Sequence, residues 1–135
     1  MPMIRIVTAH TYSAEQKSQI SDLTQFCMEN YFNTPKNDRF HFFQQLKSED
    51  IIIDANYGVE KQRTSQFILF NITAGKLRSP EQKAEFIHEL TNQLNAKFQI
   101  PKQDIMIVIQ YNQLEDWSFG EGVRGDILMK KLVGQ

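Results

Sequence analysis

The most chemically suggestive residue of this chain is Pro2. A small second residue normally lets the initiator methionine be trimmed, and trimming here leaves a secondary amine. An α-amino group titrates near ~8, closer to neutrality than any lysine, and burial or neighbouring cations bring it lower. Such a nitrogen can act as general base, general acid or Schiff-base nucleophile, although a proline at this position also occurs with no chemical role. Lys76 and Arg78 are a second candidate. Two cations two residues apart read as a clamp for a carboxylate, or as solvated loop charges. Asp38 and Asp104 fall just before two predicted strands. At least one reads as a structural turn residue, and Asp38 alternatively as a carboxylate that orients a water or a substrate proton. Trp117 and Phe119 can wall a small pocket, because ligand sites are mostly apolar with few polar groups. Core packing or subunit contact is their other use.

Other chemistries find less support. His10, His41 and His88 have no metal-ligand spacing, so no metal and no cofactor is assigned. His88 is expected to face solvent. The single Cys27 cannot form an internal disulfide and sits on an apolar helix stripe, where packing is its expected role. There is no glycine-rich phosphate loop. With 15 basic and 16 acidic residues the net charge is −1, so no global field recruits nucleic acid or an anionic membrane. No stretch approaches the roughly 20 apolar residues of a membrane span, and the default compartment is the cytoplasm.

The elements that must position these residues come in two copies. Ser13 to Gln44 aligns without a gap on Ser79 to Gln110, an offset of 66 residues that brings Ser13-Ala-Glu-Gln-Lys17 onto Ser79-Pro-Glu-Gln-Lys83 and Pro35-Lys-Asn-Asp38 onto Pro101-Lys-Gln-Asp104. In the first copy, Met3 to Ala9 reads as a strand. A helix follows from about Ser13 to Asn33, with Ser13 and Gln16 as a capping box and Ile20, Leu23, Cys27 and Tyr31 as its apolar stripe. Phe40 to Leu46 is the second strand. The second copy runs through a strand at Phe67 to Thr73, a helix capped by Ser79 with Pro80 at its first position, and a strand at Ile105 to Ile109. Its helix is expected to bury Ala84, Ile87, Leu90 and Leu94. Residues 47–66 read as an irregular connection, and 111–135 as a tail outside the repeat.

The chain thus reads as one α+β domain over 1–135, with a first βαβ unit at about 2–46 and a second at about 67–110 forming a four-stranded mixed sheet. The right-handed crossover rule sets both helices on one face. The strands are apolar in both alternating sets, which predicts that a second subunit covers the bare face. Tandem βαβ units also form sheets that bind single-stranded RNA, but those present aromatic and basic residues where these strands are aliphatic.

Met-Pro followed by a strand, tandem βαβ units, the Pro35 to Arg39 turn, the Lys76-Leu-Arg78-Ser79 turn and the Trp117-Ser-Phe-Gly120 tail together resemble the tautomerase superfamily, in its malonate semialdehyde decarboxylase-like branch. The resemblance implies a homotrimer acting on a small oxo acid without a cofactor. Carried onto this sequence, it implies Pro2 as the catalytic amine, Asp38 as its carboxylate partner, Arg78 as the carboxylate binder, and Trp117 with Phe119 as a hydrophobic wall. The decarboxylase pattern has arginine where this chain has Lys76, so a keto-enol tautomerase is the expectation. A decarboxylase-like lyase and a non-enzymatic trimeric interaction protein are the alternatives.

Overall fold

The computed structural model describes residues 2–133 of the 135. Its elements follow the expected order: β1 (Pro2–Thr8), α1 (Ala14–Tyr31), β2 (His41–Gln45), β3 (Ile68–Ala74), α2 (Pro80–Phe98), β4 (Ile105–Tyr111) and α3 (Gly125–Val133). The strands form one sheet in the order β2-β1-β3-β4. β1 runs parallel to β2 and antiparallel to β3, and β3 runs parallel to β4.

Local chemistry explains where the helices begin. Ser13 accepts the backbone N–H of Gln16 while the Gln16 side chain accepts the N–H of Ser13, so both halves of the capping box are made. Ser79 caps α2 by accepting the N–H of Gln82, and Pro80 follows where its missing N–H costs no hydrogen bond. Both helices end on a left-handed residue nearby, Asn33 at φ 51° and Gln99 at φ 55°.

Those two residues are 66 apart, and the offset holds throughout. Ile4 lies opposite His41, and Phe70 opposite Ile107. Pro2 pairs with Ala74, and Ile68 with Thr8. The hydrogen bond from Leu46 N–H to the Thr8 carbonyl recurs as Asn112 to Ala74, and that from Asp38 to Pro35 recurs as Asp104 to Pro101. The repeat is therefore a pseudo-twofold axis between β1 and β3.

Both crossover helices cover one side of the sheet. Ile4 and Ile6 of β1 and Ile68, Phe70 and Ile72 of β3 are wholly buried there against Ile20, Met28, Phe86, Leu90 and Leu94. Phe32 and Phe86 bring the two helices together, with ring centroids 4.8 Å apart. Removing a side chain of this size from water contributes roughly 1.5–3 kcal/mol. The stripe of α2 differs from expectation. Ala84 is exposed and Ile87 is 38% exposed, while Phe86 takes the core position, so the buried residues step by four along the helix: Phe86, Leu90, Leu94.

The opposite face is less apolar than alternation suggested. Val7, Leu69 and Met106 lie side by side across it next to Gln44, and the next row alternates Phe42, Arg5, Asn71 and Val108, with the Arg5 guanidinium donating to Gln44 at 2.6 Å. Residues 47–66 form the expected connection, broken by a 3₁₀ turn at Ser48–Asp50. Its inner end is pinned where Asp104, wholly buried, accepts the N–H of Thr64 at 2.7 Å and its hydroxyl at 2.5 Å. The tail holds an unexpected element, α3. At its first residue, Gly125, a Cβ would stand 2.8 Å from the Leu114 carbonyl and 3.1 Å from Trp117 and Phe119, so only glycine lets the helix start against the aromatic pair.

Candidate active site

Strand register decides what stands near Pro2. Pro2 is buried at the head of β1, opposite Ala74 at the end of β3. Two residues past Ala74 the chain reaches the exposed Lys76, in the turn that leads to α2 at the end of the sheet where β1 begins. On the other flank, Ile4 donates its N–H to the Phe40 carbonyl at 2.8 Å. Pairing of β1 with β2 begins at Ile4 and His41, so the segment holding Asp38 and Arg39 enters β2 at the end of the sheet where β1 begins. Asp38 ends a tight turn, with its N–H on the Pro35 carbonyl at 3.2 Å and Asn37 at φ 68°. The Gln25 side chain holds the Asp38 carbonyl at 3.2 Å.

Arg78 is the most tightly held of the candidates. It is 7% exposed. Its Nε donates to the Phe32 carbonyl at 2.8 Å, Nη1 to the Lys76 carbonyl at 2.5 Å and Nη2 to the Asn33 carbonyl at 3.4 Å, while the group lies 4.2 Å over the Phe32 ring. Its backbone N–H is received by the Tyr111 hydroxyl at 3.2 Å. Burial lowers the pKa of Arg78, an effect opposed by Tyr111 and Asp38. The side chain stays cationic all the same.

The aromatic residues close the circuit. Asn112 hydrogen-bonds Ala74 through its backbone and accepts the Trp117 indole N–H on its side chain at 2.5 Å. Trp117 stacks on Phe119 at 5.6 Å between centroids, and Phe119 lies 6.4 Å from Phe40. Asn112, Trp117, Phe119 and Phe40 therefore run from the end of β4 to the start of β2, past the point where Pro2 meets Ala74. Beside this arch a cavity of about 400 Å³ is lined by Gly75, Leu77, Tyr111, Asn112, Gln113 and Leu114. A larger depression of about 640 Å³, between the outer sides of α1 and α2, holds none of the candidate residues.

All six candidates, Pro2, Asp38, Lys76, Arg78, Trp117 and Phe119, thus gather at one end of the sheet. Phe32, Tyr111 and Asn112 were not legible as members of this group. Their contribution depends on backbone carbonyls and a strand end that no local motif marks. The histidines are not among them: His10 and His88 are exposed, and His41, at the same end of the sheet, shares a 2.7 Å hydrogen bond with Ser21 of α1. Burial, reinforced by Arg39, lowers the His41 pKa to about 4, so the ring is neutral at physiological pH. Cys27 is fully buried, and burial pushes its thiol up to about 11. Among the described residues no group of three His, Cys, Asp or Glu side chains could hold a metal ion, and no helix is long and apolar enough to cross a membrane.

Comparison with known proteins agrees with this architecture. Residues 38–120 match the model of a family described as tautomerase enzyme, a span that contains every candidate except Pro2. The chain belongs to that family. It is 27% identical over 122 residues to the probable tautomerase YusQ of Bacillus subtilis strain 168, covering 90% of this chain and 95% of the relative. Against malonate semialdehyde decarboxylase, whose crystal structures concern decarboxylase and hydratase activities, the TM-score is 0.84 at 26% identity, covering 96% of this chain and 98% of the other. A fused 4-OT symmetric trimer has the same fold, with a TM-score of 0.74 at 15% identity, covering 92% of this chain and 96% of that one.

Proposed function

We propose that the protein is a keto-enol tautomerase acting on a small 2-oxo acid through the amine of Pro2, freed by removal of Met1. The observation that supports this reading is the register: Pro2 pairs with Ala74, two residues before Lys76, and Ile4 donates to the Phe40 carbonyl, two residues after Asp38. In this reading the Lys76–Arg78 turn supplies the positive charge for the substrate carboxylate, and the carbon next to the carbonyl lies beside the Pro2 nitrogen. The amine takes a proton from that carbon, so a C–H bond breaks as an N–H bond forms and the electron pair passes to the carbonyl oxygen. A water oriented by the Asp38 carboxylate gives the enolate oxygen its proton, and the protonated amine returns its own to solvent to reset the site. The Trp117 and Phe119 rings shield the reacting atoms from bulk water. A retained Met1 would turn the nitrogen into an amide and end its basicity.

Likeness to malonate semialdehyde decarboxylase favours a second reading, in which a protonated Pro2 polarises the substrate carbonyl and carbon dioxide leaves. Lys76 weighs against it, because an ammonium lacks the planar fork that holds a carboxylate in one orientation. The half-apolar open face, with Phe42 52% and Met106 43% exposed, supports assembly with further copies of the chain as a homotrimer. The test is proton exchange at the carbon next to the carbonyl of a 2-oxo acid, compared between wild type and Pro2→Ala. The variant is expected to lose at least ~100-fold, the usual scale for a general acid–base group. Equal rates in the two proteins would overturn the reading. Intact mass without Met1 and a trimer in sedimentation at micromolar concentration are the accompanying expectations.

A further inference from the structure

The duplicated frame runs further than the sequence repeat. The 3₁₀ turn at Ser48–Asp50 recurs 66 residues on at Leu114–Asp116. Its backbone bonds recur with it: Asp50 N–H to the Lys47 carbonyl at 2.9 Å matches Asp116 to Gln113 at 2.8 Å, and Ile51 to Ser48 at 3.3 Å matches Trp117 to Leu114 at 3.2 Å. Leu46 and Ile51 therefore stand where Asn112 and Trp117 stand at the Pro2 end. The frame builds this turn with two aliphatic side chains, neither able to hydrogen-bond, so the turn does not require the bond that the Asn112 side chain makes. That bond is short, 2.5 Å from the Trp117 indole Nε1 to the Asn112 Oδ1. An indole N–H only donates, so the amide must offer its oxygen. The anchor itself is held, because the Asn112 backbone N–H donates to the Ala74 carbonyl at 3.1 Å, and Ala74 is the residue opposite Pro2.

We propose that Asn112 is a positioning residue that fixes the plane of Trp117, and that the wall so held makes the site select 2-oxo acids with a bulky apolar substituent on the reacting carbon. This assignment rests on reading the Pro2 end as a site for 2-oxo acids. A tryptophan side chain turns about two bonds, and a hydrogen bond at the far edge of the indole restrains both. In the position Asn112 sets, the ring stacks on Phe119 at 5.6 Å with 20° between planes, and both rings stay partly exposed. Apolar aromatic surface is thus left for a substrate group to cover. The substituent of a 2-oxo acid sits on the carbon from which the proton leaves, so a wall beside that carbon meets the substituent. Carboxylate and carbonyl are common to every 2-oxo acid, and their recognition cannot supply this preference.

The experiment follows C3 proton exchange of 4-methyl-2-oxopentanoate and of pyruvate by NMR, together with the indole N–H resonance of Trp117, which is unambiguous because the chain has a single tryptophan. Asn112→Leu reproduces the residue at the other end of the frame. It should move the indole resonance, speed exchange of the indole proton with water, and lower the kcat/KM preference for 4-methyl-2-oxopentanoate over pyruvate about fivefold, the scale of one lost hydrogen bond, with the loss lying in KM. Asn112→Asp keeps the acceptor oxygen and should restore the preference, since the added charge acts on both acids alike. Trp117→Phe should lower the preference by a similar factor, and adding Asn112→Leu to it should lower it no further, because Asn112 acts through the indole. An unmoved indole resonance in Asn112→Leu overturns the proposal, and so does an unchanged preference. If Asn112→Leu does not fold, Trp117→Phe decides, and an unchanged preference there overturns it. Exchange that persists in Pro2→Ala refutes the role of the amine and leaves this assignment to the ratio of Kd values for the two acids, read from Trp117 fluorescence; a wild type that binds neither acid refutes both.

Discussion

His41 makes the stability of this fold depend on pH in a window that can be calculated. The ring bridges β2 to α1 through Ser21, close to Arg39 and Asp22, and its pKa falls from the ordinary 6.5 to about 4, chiefly through burial. The folded state therefore binds this proton less tightly than the unfolded chain does. The contribution to stability is intact above about pH 6.5 and is lost as the pH falls from there towards 4. At 1.36 kcal/mol per pH unit the 2.5-unit gap sets a ceiling of about 3.4 kcal/mol. The ring is partly accessible, and screening reduces the expected loss to roughly 1.5 kcal/mol. Unfolding entropy near ~2.1 cal/mol/K per residue gives about 3.5 °C per kcal/mol for a chain of 135 residues, so the melting temperature should fall by about 5 °C between pH 7.5 and 4.5. The assay is thermal denaturation at fixed protein concentration, since assembly would add its own stabilisation. His41→Gln keeps a partner for Ser21 and removes the titration, so most of the slope between pH 6.5 and 5 should vanish. An equal slope in wild type and variant would refute the assignment.

Two further outcomes follow from buried groups. Asp104→Asn should cost about 2–4 kcal/mol in chemical denaturation, since it leaves the Thr64 N–H and hydroxyl competing for one amide oxygen, whereas Thr64→Ser should be nearly silent. Cys27 should resist a disulfide reagent in native protein at pH 8 and react fully once unfolded, because its thiol is buried and titrates at about 11; rapid native labelling would contradict the packing around α1.

Sequence and structure agree best where local chemistry and periodicity point the same way. Ser13 and Ser79 announce their helices, the stripe from Ile20 to Tyr31 is the face that α1 buries, and the matched Pro35 and Pro101 turns lead into β2 and β4. The α2 stripe was harder to read because Phe86 and Ile87 are adjacent, and only packing against Phe32 decides between them. The helix α3 was hidden because its start depends on Gly125 meeting Trp117, Phe119 and the Leu114 carbonyl, a tertiary contact that propensity cannot show. The candidate site was legible as a set of residue types. What was not legible was the bonding of Arg78, whose carbonyl partners at Phe32 and Asn33 lie 46 and 45 residues away.

The pseudo-twofold axis also has a covalent consequence. Two superposable ends could in principle carry the same chemistry, but a polypeptide has a single α-amine. Ile68 stands where Pro2 stands, opposite Thr8 as Pro2 is opposite Ala74, yet its nitrogen is a peptide amide bonded to Phe67 and cannot take up a proton. Joining two half-sheets into one chain thus leaves at most one end able to use an amine, and releases the other from any demand for access. That released end is where Thr64 covers Asp104 and Tyr12 fills the slot that holds Arg78 at the other. Under the proposed role of Pro2, the difference between the two turns is the counterpart of a single amine in a symmetric frame.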